Sequence, residues 1–126
     1  PDSFIHFAAT HRGATLYIDR AQIEQVLINL IKNAKESCGQ NTAPQIEVEL
    51  EQVPGKVCSL TVRDNGEGIL PEVIDKVFVP FFTTKTSGSG IGLSLCKQIM
   101  NLHGGTITVS SEIGKGSCFT LMFPGR

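Results

Sequence analysis

The feature that most constrains the fold is an alternating segment that ends on a carboxylate. Apolar residues alternate with polar ones from Cys58 to Val62, and Asp64 continues the apolar set. Because the side chains of a strand alternate between its two faces, this pattern predicts a strand over 58–64 with Asp64 on the core side. A buried carboxylate is costly unless fixed donors or a ligand use it. The end of this strand is therefore the first candidate for a functional site.

Two periodicities predict the remaining elements. Apolar residues that alternate with polar ones predict strands with one polar face. Apolar residues at spacings of three and four predict amphipathic helices, and Asp19 with Gln22 has the pattern of a capping box at the start of the first helix. The predicted strands are 3–8, 14–18, 46–51, 58–64, 106–111 and 117–123, and the predicted helices are 20–37, 71–77 and 90–103.

These elements predict an α/β (α+β) fold of two layers, a sheet with helices on one of its faces. The 126 residues are enough for one domain. A net charge of −1 argues against a nucleic-acid surface, and no apolar run approaches the roughly 20 residues that span a bilayer. The cysteines lack C-x-x-C spacing, which argues against zinc or a redox pair. Cys58 and Cys96 are expected in the core, and unpaired thiols fit a reducing compartment.

Two glycine clusters stand after this strand and before the second long helix. Gly66 and Gly68 follow Asp64 closely, and glycines recur at alternate positions in 88–92. Glycine permits positive φ and close approach of backbone to a ligand, although the string after Asp64 is also typical of a surface turn. Glycines before a helix leave backbone N–H groups free to bind phosphate. A Rossmann site is not favoured, because no parallel βαβ unit surrounds the turn, and a Walker motif is absent.

Other side chains are candidates for a phosphate or metal site. Asn29 and Asn33 lie four residues apart on one shoulder of the first helix, where their amide oxygens could bind Mg²⁺ or simply be solvated. Lys85 lies in a segment of Thr, Ser, Lys and Gly, where it could reach phosphate or remain solvated. Aromatic side chains just before this segment are expected to anchor the core or a flap. They are Phe78, Phe81 and Phe82.

In their order along the chain, these blocks resemble the ATP-binding domain shared by sensor histidine kinases, DNA gyrase, heat-shock chaperone ATPases and mismatch-repair ATPases. The resemblance extends over 19–123. It implies a Bergerat-type ATP-binding fold, a two-layer sandwich with a mixed, mostly antiparallel sheet. The matching blocks are 29–34 (N box), 64–68 (first glycine box), 78–85 (F box), 88–93 (second glycine box) and 114–119 (closing glycine motif).

Within that superfamily the sequence is most similar to the kinase branch. The gyrase-like hydrolases carry a Glu that activates water where this sequence has Asn29. An asparagine side chain does not accept a proton from water at neutral pH, so Asn29 argues against an efficient hydrolase. Ser117 stands where the family often has Thr, and it keeps the hydroxyl group.

The resemblance implies ATP and Mg²⁺ as cofactors, and it implies how the base is held. Asp64 would contact the N6 amino group of adenine. Gly66 and Gly68 would let the base approach closely, and Ser117 would support the carboxylate through water.

The resemblance also implies the phosphate side of the site. Asn33 would bind Mg²⁺, and Asn29, Asn33 and Lys85 would form the catalytic set. Further nucleotide contacts are implied for Lys32, Ile69, Phe82, Thr83, Thr84, Lys85, Gly88, Ser89, Gly90, Ile91, Gly92 and Leu93.

The phosphoacceptor is expected on another domain. In the family, a His with an acidic neighbour on a helical dimerisation domain receives the γ-phosphoryl group. Here His6, His11 and His103 precede Phe, Arg and Gly. Residues 1–126 are therefore expected to be a single catalytic domain, nearly inactive without its dimerisation domain, that serves a response regulator receiver domain and no nucleic acid. A cytoplasmic position in an inner-membrane sensor is also expected.

Three alternatives would share this fold. A nucleotide-gated ATPase module of the gyrase or chaperone kind would hydrolyse ATP steadily without a partner. A serine kinase of the anti-sigma type would phosphorylate a protein serine instead of a histidine. A catalytically inactive binding module would keep its nucleotide affinity and would transfer phosphate to no partner.

Overall fold

The computed structural model describes residues 5–9, 19–39, 42–52, 58–82 and 92–124. The predicted helix at 20–37 and the predicted strand at 58–64 have the expected bounds. The helix expected over 71–77 ends at Ile74, where turns replace it, and the strand expected at 14–18 lies outside the described residues. In chain order the elements are β1 (Ile5–Ala9), α1 (Arg20–Ser37), β2 (Ile46–Gln52), β3 (Cys58–Asp64), α2 (Pro71–Ile74), α3 (Gly92–Leu102), β4 (Thr106–Glu112) and β5 (Gly116–Phe123).

The strands form one five-stranded sheet in the order β1-β2-β3-β5-β4. β1 pairs with β2 in parallel, and the other neighbouring pairs are antiparallel. Parallel neighbours need a long crossover connection, and α1 lies in the connection between β1 and β2. The expected mixed, mostly antiparallel sheet is therefore confirmed.

Both long helices pack against one face of this sheet. α1 contacts β2, β3 and β5, α3 contacts β4, and the two helices contact each other. On the opposite face of the sheet, several outward side chains of the described strands, such as Arg63 and Thr108, are exposed. The two-layer arrangement is therefore confirmed. In the part of the chain that the structure describes, no helix combines the length and the apolar character needed to cross a bilayer.

The core lies between the two layers and is built in rows across the sheet. Full burial of one aliphatic side chain in such a row contributes about 1.5–3 kcal/mol to folding. One row contains Val48, Val62, Phe119 and Val109, and the next contains Leu50, Leu60, Leu121 and Ile107. The helices cover these rows with Ile23, Val26, Leu30 and Ala34 of α1 and with Cys96, Ile99 and Met100 of α3.

Buried thiols belong to this core. Cys58 and Cys96 are 1% and 0% exposed, which confirms the positions expected from the apolar pattern. Cys38 is also buried, and each described cysteine is a free thiol. Burial raises the pKa of the Cys96 thiol to about 11, so this group stays neutral at physiological pH.

α1 begins at a cap that also joins the two long helices. The Oδ1 atom of Asp19 accepts a hydrogen bond from the N–H of Gln22 at 3.1 Å, as the capping pattern predicts. The N–H of Asp19 donates at 3.0 Å to Nε2 of His103, whose Nδ1 lies 2.8 Å from the carbonyl oxygen of Ile99. His103 therefore carries its proton on Nδ1 in this arrangement, and it ties the end of α3 to the start of α1.

Candidate nucleotide site

The inner face of the sheet ends in polar side chains that lie on adjacent strands. The strand register pairs Asp64 of β3 with Ser117 of β5, and Ser117 with Ser111 of β4. Directly opposed residues of antiparallel strands project from the same face, so these side chains form a polar row beside the apolar rows of the core. The helix-covered face of the sheet therefore presents a carboxylate and two hydroxyl groups at one end.

Asp64 and Ser117 are buried within this polar row. Their exposed fractions are 7% and 5%, and they are the only buried polar or charged residues in the described part of the chain. The Oδ1 atom of Asp64 accepts a hydrogen bond from the N–H of Gly66 at 2.8 Å. The inward position predicted for Asp64 is therefore confirmed. Burying such groups costs desolvation free energy, which hydrogen-bond donors offset.

Ser111 connects the polar row to the loop after β3. Its Oγ accepts a hydrogen bond from the N–H of Ile69 at 2.7 Å and donates one to the carbonyl oxygen of Gly116 at 2.9 Å. The same Oγ lies 3.0 Å from Oγ of Ser117. No motif singles out Ser111, and it is not among the site residues predicted above. The signal that could have found it is the alternation in β4, which puts this hydroxyl group on the inner face.

Gly66 and Gly68 are required where separate backbone segments meet. A Cβ atom at residue 66 would lie 2.6 Å from the carbonyl oxygen of Ser37 at the end of α1. Gly68 has a φ of +80°, and a Cβ atom there would overlap the carbonyl oxygen of Glu112. A larger side chain at either position would push the loop away from its neighbours. Contacts within the protein are therefore sufficient to require both glycines, whether or not a base approaches them.

The loop between β3 and α2 is held on both sides. The N–H of Glu67 donates to the carbonyl oxygen of Ser37 at 3.2 Å, and the carbonyl oxygen of Glu67 accepts from the N–H of Gly114 at 3.0 Å. Gly116 has a φ of +132°, and a Cβ atom there would overlap the carbonyl oxygen of Asp64. The end of α1, this loop and the β4–β5 turn therefore form one packed junction around Asp64.

Asn65 anchors the same loop to the segment before β2. Its Oδ1 accepts a hydrogen bond from the N–H of Gln45 at 2.8 Å, and its Nδ2 donates to the carbonyl oxygen of Ala43 at 2.9 Å. The Sγ atom of Cys38 lies 3.5 Å from that Oδ1. Burial, and after it the negative charge of Asp64, raises the pKa of the Cys38 thiol above its ordinary value. The Asp-Asn-Gly string is therefore a packed junction and not a detached surface turn.

The two asparagines of α1 are both half-buried on the shoulder predicted for them. The Oδ1 atom of Asn29 accepts a hydrogen bond from Nε2 of Gln25 at 2.8 Å, and its Nδ2 donates to the carbonyl oxygen of Gly92 at 3.3 Å. Asn29 therefore connects α1 to the first residue of α3. Lys32, the residue directly before Asn33, is exposed, and Asn33 stays a predicted Mg²⁺ ligand.

The donor groups of the site determine how Mg²⁺ could be held. Within the described ranges, no cluster of three or more His, Cys, Asp or Glu side chains could hold a metal ion. An ion bound through the amide oxygen of Asn33 would complete its coordination with phosphate oxygens and water, as Mg²⁺ commonly does. The residues present therefore fit a metal ion that arrives with a nucleotide.

The aromatic segment before residue 83 is anchored by one ring. Phe78 makes an edge contact with Phe119 of the core, with ring centroids 6.2 Å apart and an interplanar angle of 83°. The Nζ atom of Lys97 lies 5.6 Å from the centroid of the Phe78 ring. Phe82 is half-buried. Phe81 is not a core anchor, because its side chain is 75% exposed and its backbone has a φ of +68°, and its expected role as a flap anchor stays a prediction.

Part of the predicted site lies outside the described residues. The described part includes Ile69, which packs against the core, and Gly92 and Leu93 at the start of α3. These described site residues therefore lie around Asp64 and at the start of α3, and the base contact and the phosphate-binding turn stay predictions. The predicted site residues that fall outside the description are Thr83, Thr84, Lys85, Gly88, Ser89, Gly90 and Ile91.

A groove of about 410 Å³ lies at a different place, between the aromatic segment and the outer face of α3. None of its lining residues belongs to the polar row, so it is not the candidate nucleotide site. The lining residues are Phe78, Pro80, Ser94, Lys97, Gln98, Asn101 and Leu102.

Comparison with known sequences places the same motifs in a described family. Residues 18–126 match the family described as histidine kinase-, DNA gyrase B-, and HSP90-like ATPase. The sensor histidine kinase ZraS of Escherichia coli (strain K12) is 38% identical over 120 residues, which are 95% of this chain and 25% of ZraS. The chain therefore spans about a quarter of the length of such curated relatives.

Comparison with solved structures agrees with the sequence matches. The catalytic domain of histidine kinase ThkA, in a nucleotide-free form, is similar with a TM-score of 0.84 and 36% identity, over 96% of this chain and 78% of that chain. Histidine kinase ThkA in complex with response regulator protein TrrA is similar with a TM-score of 0.79 and 32% identity, over 97% of this chain and 34% of that chain. The similarity extends across the described fold, and the family predicted from the motifs is confirmed.

Proposed function

We propose that this chain, which belongs to the histidine kinase-, DNA gyrase B- and HSP90-like ATPases and within them to the histidine kinase catalytic domains, binds ATP with Mg²⁺ and donates the γ-phosphoryl group to a histidine on a separate domain. We also propose that residues 1–126 form a single catalytic domain. The named relatives are sensor histidine kinases, which supports phosphoryl transfer in two-component signalling.

The observation that carries the proposal is the buried pair of Asp64 and Ser117 at the end of the sheet. A carboxylate accepts hydrogen bonds, and the exocyclic amino group of adenine donates them. Because both side chains are less than a tenth exposed, a base that reached them would be largely shielded from water. Gly66, Gly68 and Gly116 keep the surrounding backbone close enough to hold Asp64 in that position.

The phosphate side of the site follows from the contacts of α1. When bound, Mg²⁺ neutralises charge on the phosphates, and phosphoryl transfer then depends mainly on positioning. Asn33 would hold the ion, and the hydrogen bond from Asn29 to Gly92 fixes the spacing between α1 and the start of α3. Lys85 and the glycines of 88–92 are proposed to bind phosphate oxygens, which suits their place before a helix N-terminus.

The partners of the chain are also proposals. A dimerisation domain with its own histidine would receive the phosphoryl group, and a response regulator receiver domain would take it next. The structural neighbour ThkA, which is a histidine kinase in complex with a response regulator protein, supports this partner class. A cytoplasmic position within an inner-membrane sensor is proposed as well, and the buried free thiols fit its reducing environment.

Nucleotide binding is tested with Asp64→Asn and a fluorescent ATP analogue. The substitution keeps the size of the side chain and removes the charge-assisted acceptor, so affinity should fall about 10- to 100-fold. Asp75→Asn is the matched control, because Asp75 is an exposed carboxylate beyond α2 and should bind like wild type. Equal affinity of Asp64→Asn and wild type would contradict the proposed base contact.

Transfer is tested by adding a helical hairpin domain that carries a phosphoacceptor histidine, together with radiolabelled ATP and Mg²⁺. An acid-labile phosphoprotein is the expected product. An acid-stable product would indicate a serine kinase instead. Steady hydrolysis by the chain alone, faster than about one turnover per minute, would favour the gyrase-like alternative. Nucleotide binding without any transfer would indicate an inactive binding module.

A further inference from the structure

Backbone groups occupy two of the three hydrogen-bonding positions of the Ser111 hydroxyl group. A serine hydroxyl has one proton to donate and two lone pairs that accept. The carbonyl oxygen of Gly116, at 2.9 Å, only accepts and therefore takes the proton. The N–H of Ile69, at 2.7 Å, only donates and therefore takes one lone pair. A single lone pair remains on the Ser111 oxygen.

That remaining lone pair faces Ser117, whose Oγ lies 3.0 Å away. Because Ser111 has no second proton, Ser117 must be the donor in this contact. The proton of Ser117 is therefore turned toward Ser111. The lone pairs of the Ser117 oxygen are what this buried hydroxyl group offers to the rest of the site.

The carboxylate of Asp64 stands next to Ser117 in the strand register, and its Oδ1 already accepts from the N–H of Gly66. Two neighbouring groups that both accept hydrogen bonds favour a donor, such as a 6-amino group, at the ligand position that faces them. They disfavour a carbonyl oxygen at that position, because unpaired acceptors would then face each other.

From this geometry we propose that Ser111 is a positioning residue that orients the hydroxyl proton of Ser117 and thereby makes the site select purines with a 6-amino group over purines with a 6-oxo group. The inference rests on the proposed nucleotide-binding function. Without the acceptor at Ser111, the Ser117 hydroxyl would be free to rotate and donate to a 6-oxo group, directly or through a water molecule.

The test compares ADP with IDP, which differ at the 6-position of the base, by isothermal titration calorimetry on the 126-residue chain. Wild type should bind ADP more tightly than IDP. Ser111→Ala should lower the ratio of the two dissociation constants about five- to tenfold, the size expected for one hydrogen bond. Ser111→Thr, which keeps the hydroxyl group, should retain the wild-type ratio.

Ser110→Ala is the matched control, because Ser110 is the neighbouring serine of β4 on the exposed face of the sheet. It should leave both dissociation constants unchanged. If Ser111→Ala does not fold by circular dichroism, Ser111→Cys keeps the shape with a weaker hydrogen-bonding group and should also lower the ratio.

Two outcomes would overturn the assignment. Ser111→Ala could weaken ADP and IDP by the same factor, which would mean that Ser111 only supports the loop through Ile69. It could also leave both constants unchanged. Wild type that binds neither nucleotide would instead contradict the proposed function, so the two failures are distinguishable.

Discussion

Two glycines near the β4–β5 turn separate backbone strain from steric overlap at the candidate site. Gly114 and Gly116 both have positive φ, at +81° and +132°. A Cβ atom at residue 114 would meet nothing within 4 Å, whereas one at residue 116 would overlap the carbonyl oxygen of Asp64 and lie 2.9 Å from Cα of Asn65. Alanine substitutions at the two positions therefore share the strain of a positive φ, and only the substitution at residue 116 adds an overlap with neighbouring backbone.

The expected magnitudes follow from that difference. A non-glycine residue with positive φ costs about 1–2 kcal/mol, and this strain applies to both variants. Overpacking against a fixed backbone adds about 1–3 kcal/mol, and this applies to Gly116→Ala alone. We expect Gly114→Ala to lower the unfolding free energy by about 1–2 kcal/mol and Gly116→Ala by about 2–5 kcal/mol. Gly116→Ala should also weaken ATP binding, because the backbone of Asp64 has to move.

Urea unfolding followed by far-ultraviolet circular dichroism measures both variants. The chain has one Tyr and no Trp, so intrinsic fluorescence would report little. The midpoint and slope give the unfolding free energy if the transition is two-state. Nucleotide affinity is measured on the same samples. If Gly116→Ala is as stable as Gly114→Ala and binds ATP like wild type, the packed junction around Asp64 does not hold the carboxylate in place.

The remaining predictions concern the aromatic segment, the metal and the buried thiol. Phe78→Ala should lower the unfolding free energy by about 2–3 kcal/mol through its lost contact with the core, whereas Phe81→Ala should change it by less than about 0.5 kcal/mol; equal effects in urea unfolding would contradict the assignment of the anchor. Asn33→Ala should weaken nucleotide binding about tenfold in Mg²⁺ and leave binding in EDTA unchanged, as titrations in both buffers would show. Burial raises the pKa of the Cys96 thiol from 9.0 to about 11, so its contribution to stability is complete below pH 9.0 and is lost as the pH rises through about 11. Unfolding free energy should therefore fall more steeply over this range in wild type than in Cys96→Ala, and parallel curves would argue against that shift.

Periodicity correctly predicted positions that depend only on which face of a helix or strand a residue occupies. It does not indicate which residues will be its neighbours. Asp64 continues the inward set of β3, and the buried stripe of α1 runs from Ile23 to Ala34 as expected. Phe81 shows the limit of such reasoning. An aromatic residue in a hydrophobic string is expected to be buried, but a backbone with positive φ turns this one into solvent.

At several positions the motifs identified a residue without showing why that residue type is needed. The glycines at 66 and 68 suggested close approach of a ligand, and the structure adds close approach of Ser37 and Glu112. Those partners lie about 30 and 45 residues away along the chain, so no local pattern indicates them. The hydrogen bond from Asn29 to Gly92 is hidden from the sequence for the same reason.

By itself the sequence determined most of the described elements, the two-layer class, the inward carboxylate at Asp64 and, through its ordered motifs, the kinase family. Only the tertiary structure decided that Ser111 stands beside Ser117 in the polar row of Asp64, and in which direction the two hydroxyl protons can point. The physical reason is that alternation along a strand reports which face a side chain takes, whereas strand register and loop contacts select its neighbours. Hydrogen-bond direction depends on those neighbours, and so does the base preference proposed for this site.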